Sequence, residues 1–168
     1  MSKIEILVLN GPPGSGKSTL ATTISNELRK LNQAHAVIDL DELARLYPET
    51  NRDFMWQNLA LVWPNYTALG DIKVVLPVLI EDEKCLNSLK AAAPSETVTV
   101  CELSAATSLL KDRVTDREPD EYWQGRLRSQ VDDYMVRQPA FSDLKINTEI
   151  YSIDEAAKTI LVQIGWLR

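Results

Sequence analysis

The chain has 168 residues, 45% hydrophobic and 25% charged, which is enough to bury a core and ordinary for one globular domain. Its net charge of −6 argues against a surface built to hold a polyanionic nucleic acid, but not against one bound nucleotide. No stretch approaches the ~20 apolar residues of a membrane span, and the first apolar run is too short for a signal peptide, so a soluble cytoplasmic protein is expected.

The elements follow in chain order. IEILVL, Ile4 to Leu9, is a nearly continuous apolar run, the pattern of a strand buried on both faces. Leu20, Ala21, Ile24, Leu28 and Leu31 then recur at helical spacing and predict a helix from about Lys17 to Lys30. HAVID, His35 to Asp39, reads as a second strand, and Asp41 is placed to cap a short helix through Leu46. In TNRDFMWQNLALVWPNYTALG a helical stripe runs through Met55, Leu59, Val62, Tyr66 and Leu69. Pro64 is expected to break or kink that helix and Gly70 to end it. A third strand, Ile72 to Leu76, precedes a helix reaching about Ala92. TVTVCEL, Thr97 to Leu103, is a fourth strand, with Ser104 as the expected cap of the next helix. Pro119 at a first helical position, with Asp120 and Glu121 beside it, starts a helix that carries Trp123, Leu127, Val131 and Tyr134 toward the core. DLKIN gives a short fifth strand, and the Ser152–Glu155 capping box opens a last amphipathic helix holding a core Trp166 nearby. His35 reads as structural, and Cys85 and Cys101, lacking metal-ligand spacing, as reduced thiols. Strands alternating with helices predict a mostly parallel sheet covered on both faces, with ligands bound beyond the carboxyl ends of its strands.

One such end carries the strongest signal. VLNGPPGSGKSTL places Gly11, Gly16, Lys17 and Ser18 on the pattern G-x-x-x-x-G-K-[ST], between a strand and an amphipathic helix. Glycines let the backbone approach a phosphate chain and turn N–H groups toward it, while the following helix aims its positive end at the same point. Lys17 adds a charge for the outer phosphates, and Ser18 offers a hydroxyl to Mg2+, a cation that prefers oxygen ligands. Gly11, Gly14, Ser15, Gly16, Lys17, Ser18 and Thr19 are therefore the candidate phosphate-binding residues.

Two further stretches bear on the chemistry. In VIDLDEL, Asp39 and Asp41 lie two apart at the end of the second strand and share a face if the strand persists that far. Asp39 is the candidate metal ligand beside Ser18, and Asp41 the candidate base for a substrate hydroxyl. In LLKDRVTDREPDEYWQGRLRSQ, Arg113 and Arg117 lie four apart at a helix end and could neutralise a phosphoryl group in transfer. Arg126 is a weaker candidate for the same work, and Arg128 reads as surface.

The glycine loop, D-L-D after the second strand, R-V-T-D-R, and INTEIYSIDEA together resemble the small-molecule branch of the P-loop kinases. Adenylylsulfate, shikimate and gluconate kinases and antibiotic phosphotransferases share that pattern. The resemblance implies an α/β, three-layer α/β/α fold with a five-stranded parallel sheet ordered 2-3-1-4-5 and a helical lid at about 114–128. It also implies Asp39 and Asp41 near metal and acceptor, Arg113 near adenine, Arg117 over the phosphates, and Asn147 and Thr148 near the base. Some motifs depart from the pattern. A proline stands in KVVLPVLIEDE where many P-loop proteins carry a metal-associated aspartate, so Mg2+ would rest on Ser18, Asp39 and waters. The guanine-reading N-K-x-D is absent, which favours ATP. So are the R-D-x-K-G-L-Y segment of adenylylsulfate kinases and the glycine-rich shikimate motif, and the acceptor stays unassigned.

If Asp41 is the base, the acceptor lies between the second strand and the helices before the third. Arg52 and Trp56 are the candidates to line it, while Trp63 and Tyr66 read as core. The leading expectation is an ATP- and Mg2+-dependent kinase of a small hydroxylated molecule. The alternatives are a nucleotide-regulated binding protein that hydrolyses ATP slowly and, against the acidic balance, a polynucleotide end kinase.

Overall fold

A computed structural model describes residues 3–49, 51–138 and 140–167. Thr50, which opens the aromatic-rich stretch, lies outside them. The elements run β1 (Ile4–Asn10), α1 (Lys17–Lys30), β2 (His35–Val37), α2 (Leu40–Leu43), α3 (Asp53–Thr67) and β3 (Ile72–Pro77). After these come α4 (Glu83–Ala92), β4 (Thr97–Ser104), α5 (Thr107–Arg117), α6 (Glu121–Arg137), β5 (Leu144–Asn147) and α7 (Ile153–Gln163).

The strands form one parallel sheet in the order β2-β3-β1-β4-β5, the order the resemblance implies. β1 is central, in register with β3 from Ile4↔Ile72 to Leu9↔Pro77 and with β4 from Glu5↔Thr97 to Asn10↔Glu102. Its apolar run is continuous because both faces are covered. Ile6 and Val8 join α3 and α4 on one side through Met55, Leu59, Trp63, Leu86 and Leu89. Leu7 and Leu9 join α1 and α7 on the other through Leu20, Ile24, Leu28, Ala157 and Ile160. These are the two outer layers of an α/β/α arrangement.

Several local expectations are corrected. β2 stops at Val37, and Asp39 rather than Asp41 caps α2, its carboxylate accepting from the N–H groups of Asp41 and Glu42. Asp39 and Asp41 therefore do not share a strand face. Ser104 ends β4, and α5 is capped two residues later at Ala106 without a side-chain bond. Pro119 precedes the Asp120 cap of α6, whose carboxylate accepts from Trp123 N.

Pro64 does not end α3. Only three helical residues follow it, and buried Trp63 holds the turn in place by donating Nε1–H to Pro94 O at 3.0 Å. Leu69, expected on the buried stripe, is exposed beyond the helix end, and Trp123 is largely exposed, whereas Val131 and Tyr134 are buried. Trp56 is a core residue rather than part of a binding wall. The Ser152–Glu155 capping box is present in full. Trp166 is buried, with the Lys73 ammonium 5.7 Å from its ring centre. His35 is structural: Nδ1 donates to Gln33 O at 2.8 Å, which leaves Nε2 to accept from the Ser25 hydroxyl at 2.8 Å. Both cysteines are free, and burial pushes the Cys101 thiol up to about 12. Among the described residues no helix is long and apolar enough to cross a membrane.

Candidate functional site

The loop between β1 and α1 lies at the carboxyl edge of the sheet, beside the end of β3. It is compact. Ser15 N donates to Pro12 O at 3.2 Å, so that amide, expected to face a phosphate, closes the loop's own turn. A Cβ at Gly14 would lie 2.5 Å from Leu110 O on α5, at a φ of +80°, so only glycine fits where the loop passes under that helix. A Cβ at Gly11 would lie 2.8 Å from Leu103 O. Gly16 is the N-cap of α1, and Leu20 N makes the bond back to Gly16 O that starts the helix. The amides of Lys17, Ser18 and Thr19 precede that bond and are left for an anion, in the positive end of the helix dipole.

Lys17 folds back over the loop, with Nζ donating to Gly11 O at 2.7 Å and Pro12 O at 3.1 Å. Burial lowers its pKa to about 8; Asp41 pulls it back up, and Arg117 adds to the lowering. A triphosphate is the kind of group that would supply the missing negative charge. The Ser15 side chain is fully buried and its hydroxyl has no hydrogen-bond partner.

The acids converge on the same loop. The Ser18 hydroxyl donates to Asp39 Oδ2 at 3.0 Å, while Oδ1 of the same carboxylate caps α2. This joins two oxygen ligands suited to a hard cation that keeps most of its waters. Among the described residues no three His, Cys, Asp or Glu side chains cluster into a metal cage. Asp41, the second residue of α2, is open to solvent at its edge and within electrostatic reach of Lys17. Burial raises its pKa, and Lys17, opposing it, lowers it. A carboxylate held above its usual range next to the loop lysine has the character of a proton acceptor.

Beyond the loop a cavity of about 440 Å³ is lined by Gly14, Thr19, Arg113, Arg117, Thr148 and Tyr151, among others. Arg113 is locked in it: Nη1 donates to Thr148 Oγ1 at 3.0 Å and Gly14 O at 3.3 Å, and Nη2 to Thr148 O at 3.2 Å. Arg117, one turn on, is exposed and faces the same space. Asn147 instead caps the turn after β5, its Oδ1 accepting from Glu149 N at 2.8 Å. The span 114–128 is the end of α5, the short link 118–120 and the start of α6. Arg128 Nη1 donates to Thr115 Oγ1 at 2.8 Å, pinning the two helices together.

Two residues that the sequence reading passed over, Asn10 and Glu81, also shape the site. Asn10, buried at the end of β1, accepts from Ile80 N at 2.8 Å and donates to Ile80 O at 3.3 Å and the Tyr134 hydroxyl at 3.4 Å. Tyr134 in turn donates to Glu102 Oε1 at 3.3 Å. The chain after β3 is thus tied to the root of the glycine loop and to α6. Glu81, the next residue after Ile80, lies 3.5 Å from Arg52 and 3.4 Å from Arg137. Arg52 also donates to Leu79 O at 2.6 Å. A polar residue at the last position of a strand otherwise apolar from Ile6 onward was the one available signal for Asn10.

No family model matches the chain, and no curated protein matches it. Solved structures do. An unliganded sugar kinase from Janibacter sp. HTCC2649 superposes at TM-score 0.69 with 15% identity, covering 96% of this chain and 95% of that one. The Deinococcus radiodurans tunicamycin resistance protein gives 0.67 at 18% identity, over 99% and 98%. The Mycobacterium tuberculosis APS kinase in complex with AMPPNP and APS gives 0.63 at 18%, over 98% and 99%. The fold is that of the P-loop small-molecule kinases. At these identities the likeness speaks for architecture, and the chemistry has to be argued from the site.

Proposed function

We propose that this chain is an ATP-dependent kinase that transfers the γ-phosphate to a hydroxyl of a small molecule. One observation carries the reading: a glycine loop with its lysine folded over it meets Asp39 through Ser18, with Asp41 alongside. A loop that only bound nucleotide would not require a carboxylate with a raised pKa beside the lysine. The APS kinase of the same fold is recorded with AMPPNP, which supports a nucleotide in the corresponding cradle.

In this reading the amides of Gly16 to Thr19 and the Lys17 ammonium hold the phosphates, and Arg113, Thr148 and Tyr151 border the space for the base, with Asn147 behind them. Ser18 and Asp39 would hold Mg2+, which when bound draws charge from the phosphate oxygens. Asp41 accepts the proton of the acceptor hydroxyl as its oxygen attacks. Arg117, at the end of α5, stabilises the charge on the transferring group, and the 114–128 helical hairpin serves as the lid that excludes water.

The test is ADP release with ATP, Mg2+ and a panel of hydroxylated metabolites, together with mass detection of the phosphorylated product. Acceptor-dependent ADP release that falls with Asp41→Asn supports the proposal. ATP hydrolysis that no acceptor stimulates, with a partner protein captured only in the ATP state, would replace it with a nucleotide-driven switch.

A further inference from the structure

A single guanidinium from α5 holds the middle of the glycine loop. Gly14 passes under that helix between Leu110, whose carbonyl would meet a Cβ at 2.5 Å, and Arg113, whose Nη1 donates to Gly14 O at 3.3 Å. Nη1 also donates to Thr148 Oγ1 at 3.0 Å, and Nη2 to Thr148 O at 3.2 Å. Thr148 is itself fastened to the end of β4, its N–H and its hydroxyl both donating to Ser104 O, at 2.8 and 3.2 Å. Three hydrogen bonds from a group with five N–H donors therefore go to the protein's own loops. The acceptors are one hydroxyl and two carbonyls, and among the described residues no carboxylate pairs with Arg113. One side chain thus joins the glycine loop, α5 and the ends of β4 and β5.

We infer that Arg113 is a positioning residue for the phosphate chain: it fixes the Gly14–Ser15 peptide of the glycine loop and so sets the amides that follow. This deepens the kinase reading and rests on it through the phosphate-binding loop. A trans peptide aims its C=O and its N–H in opposite directions. Arg113 takes the carbonyl of Gly14, and the N–H of Ser15 accordingly reaches Pro12 O at 3.2 Å and closes the loop's turn. Gly14, at a φ of +80° and without a Cβ, puts little restraint of its own on that peptide. Without the guanidinium the carbonyl has no donor, the peptide is free to rotate, and the turn leading into the Gly16 N-cap loosens. Amides already in place bind an anion without first having to be ordered, so the cost of that loosening falls on the phosphates. A contact to the base alone predicts the opposite, with phosphate affinity untouched.

The experiment removes the base from the ligand. Calorimetry with Mg2+ measures the binding of inorganic tripolyphosphate and of AMPPNP to wild type, Arg113→Gln, Arg113→Lys, Thr148→Val and Thr148→Ser. Arg113→Gln should weaken both ligands by the same factor, about fivefold or more, the scale of one lost hydrogen bond from a charged donor. Arg113→Lys keeps the charge without the planar fork and should recover less than half of that loss. Thr148→Val leaves Arg113 and its charge in place but removes one anchor, and should weaken tripolyphosphate by about twofold; Thr148→Ser, which keeps the hydroxyl, should recover most of it. The Thr148 pair decides the matter even where Arg113→Gln does not fold. The inference is overturned if Arg113→Gln weakens AMPPNP but leaves tripolyphosphate unchanged, if Arg113→Lys restores wild-type affinity, or if Thr148→Val and Thr148→Ser bind tripolyphosphate alike. Failure of the wild type to bind either ligand sinks the kinase reading itself, whereas wild-type binding that all four variants match sinks only the role of Arg113.

Discussion

Lys17 should take up a proton when a triphosphate binds. In the free protein its ammonium is half-buried against two carbonyls, and burial lowers its pKa from 10.5 to about 8. That difference corresponds to about 3 kcal/mol against the charged form. Below pH 8 both the folded and the unfolded chain hold the proton, and the folded one bears that cost. Between about 8 and 10.5 the folded chain has released the proton while the unfolded chain keeps it, so the free protein gains stability as the pH rises through this window. A bound triphosphate places negative charge beside Nζ and returns the pKa to its ordinary range or above. Binding should then take up about half a proton at pH 8 and about a tenth at pH 7.

Calorimetric titration of Mg–ATP in HEPES and in Tris, at both pH values, reads the uptake from the difference in buffer ionisation heats. Uptake that is equal at pH 7 and 8, or release of a proton, would refute the placement of Lys17 against the phosphates. Lys17→Met gives the complementary view. It removes the buried charge and also two hydrogen bonds worth about 1 kcal/mol each. The net gain of about 1–2 kcal/mol should raise Tm by roughly 2–6 °C while ATP binding is lost.

Asp41→Asn should lower kcat by about 10²–10⁴ with little change in ATP affinity, as stopped or coupled assays will read. Because burial raises the Asp41 pKa, the acid limb of the wild-type kcat/KM profile should lie above the normal carboxylate range, with activity growing as the pH rises through it. Asp39→Ala removes the α2 cap and the partner of Ser18, and should cost about 1 kcal/mol of stability in denaturant titration while raising the Mg2+ concentration needed for half-maximal activity. Gly14→Ala puts a methyl group 2.5 Å from Leu110 O at a φ of +80°, so it should lose more than about 1 kcal/mol in thermal unfolding and most ATP binding; retention of both would mean the loop has a second arrangement.

What the sequence made legible was local. The strand-glycine-helix succession from Ile4 to Lys30 and the Ser152–Glu155 box depend on neighbours within a few residues, and both appear as expected. The misplaced caps at Asp41 and Ser104 share one cause: a cap is defined by where the preceding strand stops, and pairing of β2 with β3 and of β4 with β5 decides that. Pro64 does not break α3 because it stands three residues from the helix end, where the Trp63 bond to Pro94 fastens the last turn. Glu81 and Arg137 are 56 residues apart in number, and Asn10 and Ile80 are 70 apart, so their contacts leave no spacing to read. The four-residue spacing of Arg113 and Arg117 marked both as candidates, but the bonds of Arg113 to Gly14 and Thr148 span 99 and 35 residues and leave no spacing to read.

The two apolar layers on opposite faces of the sheet divide the labour of the molecule. The helices that border the glycine loop and the 440 Å³ cavity, α1 and α7, root in one layer, while α3, packed on α2, roots in the other. Substitutions in distant, non-touching positions tend to add independently. If the proposed kinase reading holds, a lineage could therefore rebuild the acceptor side from one layer while the nucleotide side stays in the other, and a laboratory seeking a new acceptor would do best to vary α3 and the neighbouring loops and leave α1 and α7 alone.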